Sequence, residues 1–166
     1  MIALMLALAV APWSRPPSFQ PLTGWQSGAS GNTRSVYVGR KNLAAAPLES
    51  AAWIARGVRY VDRATADPPN KTLRGLPKNA VIVWAVIYGN DTLAKDEPPS
   101  HLRLGMAKRY ACCEAVRIPA EYDLTGSGPH HAYSVIVRIY LGSPPNPRLR
   151  ARAQQALQHL RLPAPR

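Results

Sequence analysis

The alternation of apolar and polar positions is clearest over residues 133–162. Tyr133, Val135, Val137, Ile139 and Leu141 occupy every second position, so an extended backbone gathers them on one face and puts Ser134, Arg138 and Tyr140 on the other. This predicts a half-buried strand. Gly142, Ser143, Pro144, Pro145 and Asn146 end it, because prolines lack the donors a ladder needs. Asn146 is placed to cap a helix with Pro147 at its first position. Leu149, Ala153, Ala156, Leu157 and Leu160 then recur at helical spacing and predict an amphipathic helix that closes at Pro163. Residues 80–88 are apolar throughout and bounded by turn signals, the pattern of a strand covered on both faces and the candidate centre of a sheet.

The remaining elements are less regular. Val36 and Val38 predict a short strand, and residues 51–61 a longer one. Residues 44–56 also fit a helix through Leu48, Ala52, Ile54 and Ala55, whereas Val58 and Tyr60 around Arg59 favour a strand at the end of this stretch. Residues 67–70 have turn composition, residues 72–76 fit one helical turn, Leu102 and Leu104 fit a short edge strand, and residues 122–131 are expected to be loop. Residues 12–33, rich in Pro, Ser and Gly, are expected to be a linker or long loop, with Trp13 and Trp25 drawing part of it onto the domain.

Residues 1–11 form an unbroken apolar run, shorter than the roughly 20 residues of a spanning helix. The length fits the hydrophobic part of a signal peptide, with Ala9-Val10-Ala11 as a small-x-small cleavage site. The competing reading is a buried strand or surface-lying anchor. The domain plan is thus a signal segment over 1–11, a linker or loop over 12–33, and a single α+β domain over 34–166. The expected fold is one mainly antiparallel sheet with the C-terminal amphipathic helix packed on one face, with a β-sandwich as the alternative.

Composition fits one domain, with 166 residues of which 46% are apolar. Charge adds a direction. The formal net charge is +12, and residues 101–166 hold ten basic residues against three acidic ones. Such an excess attracts polyanions by long-range steering. Arginine outnumbers lysine 16 to 5 alongside abundant Ala, Pro and Gly, a bias that GC-rich coding also produces. Arg148, Arg150 and Arg152 crowd the predicted helix start with no acidic residue after Asp123. Free N–H groups and three guanidinium groups there would make an anion-binding site; the alternative is arginines packed by their stems with heads in water.

Catalytic and metal chemistry finds little support. Cys112 and Cys113 are the only cysteines, and adjacency gives neither an ordinary bridge nor a CxxC motif. His130 and His131 lack a metal-ligand spacing, so neither metal nor cofactor is expected. Ser127 or Ser134 with His101 or His131 and Asp123 is a triad only by residue type, because no G-x-S-x-G is present. Glu121 and Asp123 are a carboxylate pair with nothing apolar beside them to perturb either. Gly28 and Gly31 lack the preceding strand and following Lys of a phosphate loop. Asn70-Lys71-Thr72 and Asn90-Asp91-Thr92 match the glycosylation sequon and read as turns.

The run Val135 to Pro144 (VIVRIYLGSP), the Arg/Ala/Gln-rich helix after it and the closing Leu160-Arg161-Leu162-Pro163 resemble the C-termini of small extracytoplasmic proteins of high-GC actinobacteria. The run Leu76 to Val83 (LPKNAVIV) resembles their recurrent Leu-Pro, Asp or Asn, Gly or Ala, apolar-strand element. These motifs are structural. The resemblance implies an exported or membrane-tethered α+β domain with no assigned activity. The expected function is therefore a non-catalytic extracytoplasmic domain that binds a protein or cell-wall component. The alternatives are a polyanion- or nucleic-acid-binding basic protein and a small hydrolase or metal-dependent enzyme.

Overall fold

The computed structural model describes residues 15–29, 33–34, 48–59, 70–89, 108–109, 121–127 and 133–164. Nine strands and two helices lie within them: β1 (Ser18–Phe19), β2 (Gln26–Ala29), β3 (Thr33–Arg34), β4 (Leu48–Arg56), α1 (Asn70–Arg74), β5 (Val81–Gly89), β6 (Lys108–Arg109), β7 (Glu121–Ser127), β8 (Tyr133–Leu141), α2 (Pro147–Gln158) and β9 (Leu160–Arg161). The main sheet runs β2-β4-β5-β8-β7-β6, with β3 also on β4, and β1 pairs separately with β9. Every described pairing is antiparallel. The architecture is α+β.

β5 sits between β4 and β8, and Val81 through Ile87 are all buried. Its uninterrupted apolar sequence follows from that position, because alternate side chains enter two different cores. One core is aliphatic: Ile54, Val83, Ala85, Val137, Ile139 and Leu141 meet Leu149, Ala153, Ala156 and Leu157 of α2. The other is aromatic: Trp53, Trp84 and Tyr140 pack with Ile82, Val86 and Leu73 of α1. β8 thus presents Val135, Val137, Ile139 and Leu141 to the helix side, as its alternation predicts.

α2 begins as its sequence predicts. Asn146 is the N-cap, its Oδ1 accepting from the Leu149 N–H at 3.1 Å, with Pro147 in the first turn. The helix stops at Gln158, short of the expected Pro163. The His159 carbonyl accepts the Gln20 N–H at 2.8 Å, and Phe19 and Ser18 pair with Leu160 and Arg161. Pairing with β1 replaces what would be the last helical turn.

Three other expectations change. The undecided stretch is a strand over Leu48–Arg56, with its earlier residues outside the described set; Gly57, at φ +75°, follows its end, so Val58, expected in the strand, lies beyond it, and Tyr60 is outside the described residues. The Pro/Gly/Ser-rich stretch supplies β1, β2 and β3. β2 carries almost no apolar area, yet its backbone completes a ladder with β4, and the Trp53 ring lies where a Gly28 Cβ would be, 2.8 Å away. Phe19 is buried, and Leu22 and Trp25 are partly buried against the helix-side core, so the packing expected of Trp25 is present. Residues 121–127, whose last six were expected to be loop, form β7 beside β8. The strand expectations at Val36, Val38, Leu102 and Leu104, and that for packing of Trp13, lie outside the described residues.

The sheet end where β5 begins is locked by backbone contacts. Ala80 N–H donates to the Pro77 carbonyl and Gly142 N–H to the Ala80 carbonyl, both at 2.9 Å. A Cβ on Gly142 would collide with the carbonyls of Pro77 and Lys78, which are backbone and cannot rotate aside. Gly57 leaves β4 at φ +75° with Asn79 O 2.9 Å from its virtual Cβ. Gly142→Ala is therefore expected to cost about 1–3 kcal/mol as an overpacked site. Urea unfolding measures this, and an unchanged midpoint would contradict the close approach.

Candidate anion-binding surface

The sequence places three arginines in the first half of α2, and the helix separates them. At about 100° per residue, Arg148 and Arg152 lie about 40° apart while Arg150 is about 160° from each. Arg148 and Arg150 are exposed and Arg152 is half-buried, its Nη1 donating to the Asn79 carbonyl at 3.4 Å. The apolar stripe of Leu149, Ala153 and Ala156 runs between the two flanks. Arg148 and Arg152 form one group; Arg150 belongs elsewhere.

The backbone of the helix start offers an anion less than its sequence implies. Pro147 has no N–H, Leu149 N–H goes to Asn146 Oδ1, and Arg150 N–H goes to the Asn146 carbonyl at 3.1 Å. Cap and proline satisfy or remove most of the donors that make a helix N-terminus an anion site. Attraction there comes from the guanidinium groups.

Other basic residues join Arg148 and Arg152 at this end of the sheet. Arg56 ends β4 opposite Val81, and Val81 in turn lies opposite Leu141 at the end of β8. Arg59 follows two residues after Gly57, which packs on Asn79. Arg74 ends α1, and Lys78 stands in the turn that Gly142 contacts. Arg59, Arg74 and Lys78 are exposed and Arg56 is half-buried. Among residues whose side chains are described, Glu49 is the only acid, and it is 5% exposed.

Arg138 does something different. Its guanidinium carbon lies 5.7 Å from the centroid of the Trp84 ring, a cation–π distance on the aromatic side of the sheet. Gly28, Trp53, Trp84, Arg138, Asp123 and Lys108 are successive register partners across six strands. Of this row, Trp53 and Trp84 belong to the second core.

Of the catalytic candidates, only the serines and the carboxylates lie within the described residues. Ser127 and Ser134 are opposite one another on β7 and β8, whereas Asp123 is opposite Arg138 and Glu121 opposite Tyr140. His101, His130, His131, Cys112 and Cys113 lie outside the described residues. No group of three His, Cys, Asp or Glu suited to a metal occurs among the described residues.

No family model, curated protein or solved structure matches the chain. The anion-binding reading consequently rests on the residues themselves. Sequence reasoning missed Arg56, Arg74 and Lys78, and the available signal was that each adjoins a turn: Arg56-Gly57, Arg74-Gly75 and Pro77-Lys78-Asn79. Asn146→Ala should lower stability by about 1 kcal/mol through loss of the cap. Thermal unfolding with and without added phosphate checks this. If phosphate restored the lost stability completely, the anion and not Asn146 would be the helix's natural cap.

Proposed function

We propose that this chain is a non-catalytic extracytoplasmic binding domain whose ligand is an anionic component of the cell envelope. The observation that carries the proposal is the exposure of Arg59, Arg74, Lys78, Arg148 and Arg150 on a chain with a formal net charge of +12. Guanidinium groups pair with phosphate or carboxylate through forked hydrogen bonds, so an arginine-dominated surface fits such groups better than a neutral ligand. The apolar run of residues 1–11 and the resemblance of the C-terminal strand and helix to extracytoplasmic actinobacterial proteins support the location. No helix among the described residues is long and apolar enough to cross a membrane.

Binding of this kind releases counterions, and its strength falls linearly in log K against log salt. Retention of the purified protein on immobilised heparin, titrated between about 50 and 200 mM salt, should fall steeply. Absent or salt-independent retention would refute the proposal.

A further inference from the structure

We infer that β1 and the end of α2 form a conformational switch, in which residues 159–161 are held out of the helix while β1 is docked and extend α2 when β1 is withdrawn. Local sequence and observed structure conflict here. Leu and Arg are among the stronger helix formers, and Leu160 and Arg161 nevertheless form β9. Leu160 also continues the buried stripe of α2, four residues after Ala156 and three after Leu157. Nothing local stops the helix at Gln158. His159, the C-cap, has right-handed backbone at φ −92° and ψ −4°, and no glycine follows it before Pro163. Pro163 is the first local stop, because it turns Leu162 away from helical backbone. The observed end is therefore imposed from outside the helix.

β1 imposes it. Ser18 pairs with Arg161 and Phe19 with Leu160, Gln20 N–H donates to the His159 carbonyl at 2.8 Å, and Arg161 Nη2 donates to Gln20 Oε1 at 2.6 Å. β1 has no other strand partner among the described residues. With β1 docked, substitutes serve the last carbonyls of α2: Ala156 O accepts the His159 N–H at 3.0 Å, and Gln158 O accepts Arg161 Nη1 at 2.9 Å. In a longer helix the N–H groups of Leu160, Arg161 and Leu162 would serve Ala156, Leu157 and Gln158 O instead. Burial is exchanged in the same way. Phe19 and Leu160 lie in the aliphatic core, each 8% exposed, and the helical stripe would carry Leu160 toward the space that Phe19 leaves. A turn closed by Trp25 N–H to Leu22 O at 3.0 Å, with Gly24 at φ +76°, separates β1 from β2, so β1 can leave while β2 stays paired with β4. Two exclusive arrangements that satisfy the same groups make a two-state element, and whatever withdraws β1 shifts its population.

The test is NMR of the full chain, reading the Cα chemical shifts of Leu160 and Arg161 against coil values. Wild type should give the strand sign at both. Phe19→Ser removes the apolar anchor of β1, and Gln20→Pro keeps that anchor but removes the N–H that the His159 carbonyl accepts. In each variant the two shifts should change to the helix sign while the shifts of β5 stay as they are in wild type. Phe19→Leu, which restores an apolar anchor, should return the strand sign. Coil values at Leu160 and Arg161 in the variants, or a strand sign that persists in both, would overturn the switch. Should both variants lose the sheet, relaxation dispersion on the wild-type protein reads the same shifts in its transiently opened state. A helical excited-state shift at Leu160 and Arg161 upholds the inference, and a coil-like one or the absence of exchange overturns it.

Discussion

Burial of β5 on both faces is the constraint from which the rest of the architecture follows. Seven consecutive apolar residues, Val81 through Ile87, cannot be satisfied by one covering layer, because their side chains alternate between two sides. The chain answers with two unlike cores. α2 lays small and branched residues on the aliphatic side, where Ala153 and Ala156 let the helix approach the sheet closely. The opposite side is filled by large rings, Trp53 beside Trp84, with Tyr140 on the next strand. Edge strands can then be poor in apolar residues, since β4, β5 and β8 carry the burial.

A strand so enclosed must be entered through a tight turn, and that turn fixes the neighbouring elements. The carbonyls of Pro77, Asn79 and Ala80 accept from Ala80, Arg152 and Gly142 respectively, so the start of β5, the end of β8 and the first half of α2 share one small set of acceptors. Glycine at 142 is required by how near its backbone comes to the turn. Basic residues gather at this boundary because it is where apolar strands give way to exposed connections, and arginine can bury its stem while leaving its head in water. Packing and charge therefore meet at one place.

The sequence disclosed those parts whose pattern coincides with their burial. β8 was legible because its alternation matches one aliphatic face, β5 because two-sided burial leaves no polar position, and the α2 start because Asn146 and Pro147 are local signals. β2 was not legible: Gln26, Ser27, Gly28 and Ala29 enter the sheet through ladder bonds and room for an indole, neither of which composition records. β7 was obscured by Gly126 and Ser127, which read as loop until β8 pairs with them. The helix end was misplaced because β1, some 140 residues away in the chain, pairs with Leu160 and Arg161. For the basic surface, proximity in sequence grouped Arg150 with Arg148 and Arg152, whereas helical rotation separates it. The same proximity rule hid Arg56, Arg74 and Lys78, which only the sheet topology brings to that end.

Native-state hydrogen exchange tests the central role of β5 most directly. Amides in a strand enclosed on both faces and both edges open only when the domain unfolds, whereas those of edge strands open locally. The ladder amides of Val81 to Ile87 are expected to exchange at the slowest, globally limited rate, with β4 and β8 near them and β2 and β6 much faster. If β5 exchanged as fast as β2, the two-sided core would not be what holds this fold together.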